Sequence, residues 1–342
     1  MRKKIVSLMA VAALSLSLVA CGGGNTSSNA PAGDGNQTEA AGDNTSDKEI
    51  VVGFSQVGAE SDWRTANTNS MKDTFSTENG YKLIFDDAQQ KQENQIKAIR
   101  NFIQQEVDYI VLAPTTETGW DTVLQEAKDA GIPVIVVDRM VEVSDDSLFT
   151  AWVGSDFRSE GEKAVQWMEA KFGTDEPLNI VHIQGSIGSS AQIGRTKALD
   201  EAAAKNSNWN IVAQQTGEFT QAKGQEVMES VLKNNSDIDV VYCENDNEAF
   251  GAIDAIKAAG KTYGKDGEIT IISFDATKPA LTMALAGEIN YDVECNPLHG
   301  PRVEAIIQQL EKGEVPEKLA YVEESAFDAT ELTQEIVDAR AY

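Results

Sequence analysis

The sequence predicts an α/β protein built as two doubly wound parallel-sheet lobes, on three observations. Short runs rich in Val, Ile and Phe alternate with stretches of helical periodicity, the signature of βαβ units. The alternation runs through five strands and then starts again. The body that carries it is about 295 residues long, too many for one compact core and comfortable for two.

The first series places strands at 51–55, 82–87, 109–113, 134–138 and 151–154. Helices fall between them at 63–78, 92–105 and 118–130, and Ile96, Ile99 and Ile103 share one face of the second. The second series has strands at 179–184, 210–215, 240–243, 270–274 and 291–295, with helices at 191–205, 221–233, 247–259 and 279–286. Gly260 and Gly287 stand where helix C-caps belong. A strand order of 2-1-3-4-5 is expected in each lobe.

Ahead of this body, Arg2, Lys3 and Lys4 precede an uncharged apolar run from Ile5 to Ala20 with no stop-transfer charges after it, so 1–20 reads as a secretory signal peptide. The run ends Leu18-Val19-Ala20-Cys21-Gly22, which resembles the bacterial lipobox and makes Cys21 a lipid anchor. Residues 21–48 are Gly, Asn, Ser, Thr, Ala and Asp with almost no large apolar side chain, a composition that cannot offset chain entropy by burial; a flexible tether is expected. Losing Arg2, Lys3 and Lys4 with the signal takes the formal charge from −27 to −30. So acidic a body is repelled by nucleic acid and anionic lipid, which leaves the anchor as its only membrane contact. Cys243 and Cys295 lie on strands separated by one other, roughly 9–10 Å apart at ordinary strand spacing. That is beyond bridging distance, so both are expected as free, buried thiols.

In open α/β sheets ligands sit beyond the carboxyl ends of the strands. Those ends are polar here: Ser55-Gln56, Asp87, Asp138-Arg139, Asp156, Gln184, Asn245-Asp246, Asp275 and Asn296. Catalysis is poorly supported. The chain has only two histidines, His182 in a predicted strand and His299 at a helix start, and neither has a nucleophile or metal-ligand partner at motif spacing. The loop from Gly185 to Ser190 reads as ordinary turn chemistry, Asp246-Asn247-Glu248 lacks the EF-hand spacing, and Asp86 and Asp87 point to opposite faces of a strand. No metal and no cofactor is expected. What remains suits a polyol: Asp, Asn and Arg meet hydroxyls with planar two-point contacts, and aromatic rings cover the C–H face. Of Trp63, Trp120, Trp152 and Phe219, those with polar neighbours near strand ends are Trp63 and Phe219.

A family resemblance rests on GFSQVGAESDWR from Gly53, DDAQQKQENQIKAIRNF from Asp86, APTTETGW from Ala113, AKDAGIPVIVVDR from Ala127, GEFTQAKGQEVMES from Gly217, ENDNEAFGAIDAIKAAG from Glu244 and GPRVEAI from Gly300. Through these segments the chain resembles the periplasmic-binding-protein type I sugar binders, and within them the galactofuranose-binding members. The resemblance implies two lobes joined by three crossovers, near 154–156, 296–297 and 324–327, that close on a ligand like a hinge. The N-terminal lobe would comprise 49–154 plus 297–323, and the C-terminal lobe 155–296 plus 324–342. It also implies a monomeric, extracytoplasmic subunit that captures a monosaccharide and hands it to an ABC permease. The implied ligand residues are Trp63, Arg64, Asp87, Asp138, Arg139, Arg195, Phe219, Asn245, Asp275 and Asn296, with Trp63 and Phe219 stacking on the ring; Ser55 joins them as a polar strand end. Ala276, Phe157 and the segment ECNP depart from the family pattern beside the expected cleft. A sensor feeding a chemoreceptor or kinase would use the same closed form, whereas a repressor of related fold would need a DNA-binding headpiece in place of the signal.

Overall fold

The structure is a computed structural model that describes residues 49–342. The signal peptide, the Cys21 anchor and the tether expected over 1–48 lie outside the described residues. No described helix is long and apolar enough to cross a membrane.

Two six-stranded sheets carry the molecule. The first holds β1 (Ile50–Gln56), β2 (Tyr81–Asp87), β3 (Tyr109–Leu112), β4 (Val134–Val137) and β5 (Ala151–Gly154), together with the late strand β11 (Leu319–Tyr321). Its order is β2-β1-β3-β4-β5-β11, parallel throughout. The second holds β6 (Leu178–Gln184), β7 (Trp209–Thr216), β8 (Val240–Cys243), β9 (Thr270–Asp275) and β10 (Tyr291–Glu294), closed by β12 (Ala326–Asp328). Its order is β7-β6-β8-β9-β10-β12, parallel except for β12, which runs antiparallel to β10. The five-strand order read from the sequence is therefore present twice.

The helices connecting the first series are α1 (Asp62–Thr74), α2 (Gln92–Gln104) and α3 (Asp121–Asp129). The second uses α4 (Phe157–Phe172), α5 (Ser190–Lys205), α6 (Gln221–Asn234), α7 (Asp246–Ala258) and α8 (Lys278–Leu285), and α9 (Gly300–Glu311) and α10 (Gln334–Ala339) complete the chain. Helix α4, β11, β12 and α10 were not read from the sequence; three-residue strands give no usable period. Each sheet is apolar on both faces because helices cover both, so β3, β4, β5 and β8 are buried along their whole length. Each fully buried Val, Ile or Leu in them stabilises the lobe by about 1.5–3 kcal/mol. Trp120 and Trp152 are buried among Ile110, Leu112, Val134 and Val136, which makes them core rather than ligand contacts.

The chain passes between the sheets three times: at 155–156 between β5 and α4, at 295–299 between β10 and α9, and at 322–325 between β11 and β12. The third passage ends earlier than 327 because Ala326–Asp328 is already a strand of the second sheet. Helix α9 returns to pack against α1 and β5. Cys243 and Cys295 are free and buried, with β9 between their strands.

Candidate functional site

The carboxyl ends of the two sheets face each other across a cavity. From the first sheet come Glu60, Ser61, Trp63 and Arg64, at the loop and first turn after β1, and Asp138 and Arg139 directly after β4. From the second come Phe157, Ala191, Arg195, Phe219, Asn245, Asp275 and Cys295. Trp63, Phe157, Ala191, Phe219 and Cys295 form a buried apolar cluster that spans both lobes.

Local sequence chemistry aims these groups. Ser61 caps α1, its hydroxyl accepting from the Arg64 N–H, which sets the first turn with Trp63 and Arg64 facing inward. The buried face of α1 is polar where an ordinary core helix would be apolar. Asn67 donates from Nδ2 to the Pro297 carbonyl and meets His299 Nδ1, both at 2.9 Å, fastening the helix to the second crossover. Trp63 donates from Nε1 to the Cys295 carbonyl at 2.6 Å. On the other side Asn245 caps α7, accepting from the Glu248 N–H at 2.9 Å and donating to the Phe219 carbonyl at 3.1 Å. Asp138, Phe219, Asp275 and Ala276 all hold positive φ, from 51° to 108°, a conformation non-glycine residues rarely adopt and that concentrates at functional sites. Gly185 is required by Phe219: a Cβ there would come within 1.9 Å of the ring.

Three buried guanidiniums meet four buried carboxyls. Arg64 donates to Asp138 at 2.7 Å and to Glu60 at 2.9 Å. Arg139 lies 3.7 Å from Glu60, donates to the Thr115 carbonyl at 3.2 Å, and sits over the Phe219 ring of the opposite lobe, 5.1 Å from its centroid. Arg195 donates to Glu160 at 2.7 Å and to the Glu244 carbonyl, and lies 3.5 Å from Asp275. Burial opposes the charge on Arg64, but Asp138 and Glu60 override it and raise the guanidinium above its usual range. Burial and the neighbouring Arg64 instead pull Arg139 down to about 10. Asp138 is held below the usual carboxylate range: burial would raise it, and Arg64 and Arg139 outweigh burial. Asp275 is pushed well up, chiefly by burial. Two polar atoms of lining residues have no hydrogen-bond partner, Glu60 Oε2 and Arg139 Nε. A buried unpaired donor and acceptor at one cavity call for a ligand that both donates and accepts.

The lobes also touch directly. Asp62 donates its backbone N–H to Asn247 Oδ1 at 2.9 Å, Glu117 to the Gly188 carbonyl at 2.9 Å, and Met140 to the Ser190 hydroxyl at 2.8 Å.

Of the eleven residues singled out in the sequence, Trp63, Arg64, Asp138, Arg139, Arg195, Phe219, Asn245 and Asp275 line the cavity. Three do not. Ser55 is buried inside β1, one register short of the strand's end. Asp87 is exposed and its Oδ1 accepts from the Gln89 N–H at 2.8 Å, so its carboxylate closes a local turn. Asn296 likewise turns on itself, its Oδ1 accepting from the Leu298 N–H at 3.0 Å. Glu60 was missed although its four-residue spacing from Arg64 signals an ion pair. Cys295, Ala191 and Phe157 carried no polar signal. His182 is buried and bonded to Glu244 at 2.9 Å, and Asp246 accepts from Ser273 and Thr277; both are structural.

The sequence profile of the family described as periplasmic binding protein domain matches residues 52–334. The chain is 43% identical to the galactofuranose-binding protein YtfQ of Escherichia coli, over 81% of this chain and 87% of that protein. Among solved structures it is similar to a Mycobacterium smegmatis protein in complex with β-D-fucofuranose, at 43% identity and a TM-score of 0.80, covering 85% of this chain and 97% of that one. It is similar at 42% identity, with the same TM-score and 85% and 96% coverage, to the binding component of the arabinose ABC transporter of Shewanella sp. ANA-3, bound to α- and β-L-arabinofuranose.

Proposed function

This chain belongs to the periplasmic binding protein family, and from that premise we propose that it is the solute-binding subunit of an ABC importer, taking a monosaccharide in its furanose form between its lobes. Galactofuranose or a related aldose or pentose is the ligand class. The observation that carries the reading is the cavity itself: paired guanidiniums and carboxyls from both lobes, an unpartnered donor and acceptor, and the Trp63 and Phe219 rings. Arg64, Asp138 and Arg139 from one lobe and Arg195, Asn245 and Asp275 from the other would pair with the hydroxyls. The lobes are 49–154 with 297–323, and 155–296 with 324–342. Ligand bridges them and shifts the population toward the closed form, which the permease recognises. Cys21 carries the lipid and residues 21–48 the tether that hold this body, as a monomer, on the outer side of the cell membrane.

Ligand that binds only the native state raises its melting temperature. The test is a thermal-shift screen of the body from Glu49 onward against galactofuranose, galactose, arabinose, ribose, xylose and glucose. A large shift with sugars that populate furanose forms is expected. No shift with any of them would move the ligand outside simple sugars.

A further inference from the structure

On the hinge side of the cavity the three crossovers converge on one carboxyl. Glu324 lies on the third, and its Oε1 accepts from the Ser155 hydroxyl of the first at 2.7 Å and from the Asn296 backbone N–H of the second at 2.6 Å. Lys163 of α4 donates to the Glu324 carbonyl at 2.8 Å. The Cys295 thiol, which lines the cavity, is 3.4 Å from the Ser155 hydroxyl. One atom each of Glu160, Cys295 and Glu324 lies within 4.8 Å of the other two, and Glu160 is the carboxylate that holds Arg195. From the hinge to the cavity the path is therefore a single residue long, through Glu160 to Arg195 or through Cys295 itself.

The charges around Glu324 are unbalanced toward acid. Glu160 on α4, Glu294 at the end of β10 and Glu323 on its own segment are all carboxyls. The nearby cations are engaged elsewhere: Arg195 by Glu160, Arg340 by Glu294 at 2.6 Å, and Lys163 by the main-chain carbonyl. Burial first, and the Glu160 charge second, push Glu324 up to about 8. Burial also raises the Cys295 thiol well above its usual range. With burial pushing two of its groups toward their protonated forms and the third already paired to Arg195, the cluster favours a proton over a cation.

We propose that Glu324 is a positioning residue for the ligand cavity: as a neutral acid it ties the three crossovers together in the closed form, and closure over a ligand draws a proton onto it. This rests on the reading of the cavity as a sugar site. Opening the lobes admits water beside Cys295 and Glu160, and a better-solvated Glu324 ionises more readily. Between the open form's pKa and about 8 the closed form therefore binds more protons. Affinity is highest on the acid side of that window, falls as pH rises through it, and levels off above it.

The test measures affinity for L-arabinose and D-galactose, with melting temperatures of the ligand-free protein, from about pH 6 to about pH 9. Wild type should lose up to about tenfold in affinity per pH unit inside the window. Glu324→Gln keeps an oxygen acceptor for Ser155 and Asn296 but cannot ionise, so its affinity should be flat and its melting temperature should lose the wild-type decline. Glu324→Ala, which loses both bonds, should bind more weakly at every pH. Equal pH slopes of affinity in wild type and Glu324→Gln would overturn the proposal, whatever the melting temperatures do. If neither sugar binds at any pH, the sugar reading fails. The melting temperatures then decide the hinge acid alone: equal slopes overturn it, and a slope lost in Glu324→Gln sustains it.

Discussion

Asp138 and Asp275 end equivalent strands, β4 and β9, each fourth in its own five-strand series, and each holds a positive φ at the cavity wall. Both are buried, yet their chemistry is opposite. Asp138 has the Arg64 guanidinium at 2.7 Å and that of Arg139 at 4.0 Å, and it stays ionised. Asp275 has one guanidinium, Arg195, at 3.5 Å, with Asp246 and Glu160 adding like charge, and burial drives it toward the neutral acid. Two copies of one strand end thus supply a fixed acceptor on one side of the cavity and a carboxyl able to donate on the other. The number of cations in reach decides which is which.

The largest test of this contrast is removal of the ionised member. Asp138→Ala leaves Arg64 and Arg139 short of a buried partner and should destabilise the fold by about 3 kcal/mol, the low end for breaking a buried pair because Glu60 still meets Arg64. Urea unfolding measures it, and a loss no larger than that of Asp275→Ala would erase the distinction. Next come the ligand contacts. Arg139→Ala and Asp275→Ala, in opposite lobes, should each lose roughly tenfold or more in sugar affinity, about 1.4 kcal/mol. Unaltered titration curves for both would mean the cavity is not where sugar binds.

A smaller effect separates the two aspartates by pH. A carboxyl held below its ordinary value of 3.8, as Asp138 is, stabilises the fold above that value and loses this as pH falls through its lowered pKa. Asp275, held above 3.8, works the other way: as pH rises past 3.8 the unfolded chain ionises there while the folded one resists, so stability declines. Asp275→Asn should therefore gain in melting temperature relative to wild type as pH rises from about 4 to about 7, whereas Asp138→Asn should not. The smallest effect is at the lobe contact. Asn247→Ala removes the bond to Asp62 without touching the cavity and should weaken affinity by about 0.5–1.5 kcal/mol, measured as a higher Kd in titration calorimetry.

Much of this molecule could be read in advance. The βαβ alternation and its restart near residue 179 are local patterns, and they were enough for the strand order of both sheets. The return of α9 and β11 to the first sheet was not in any periodicity, because a three-residue strand such as Leu319–Tyr321 has no period to detect. At the site, strand-end position selected Asp138, Arg139, Asn245 and Asp275, all of which line the cavity. It also selected Asp87 and Asn296, which do not, because their side chains satisfy their own local backbone, a choice that is invisible in sequence.

By itself, then, the sequence determined two doubly wound lobes, polar strand ends and the aromatic and charged residue types that suit a polyol, since these depend on neighbours within a few positions along the chain. Only the tertiary structure decided that Glu60 joins the cavity, that Cys295 lies in its wall, that Glu324 gathers the three crossovers, and that Asp138 is held toward its charged form while Asp275 is pushed toward the neutral acid. Each of those depends on groups brought together from distant parts of the chain, where burial and Coulomb interactions act over ångströms of space rather than positions in sequence.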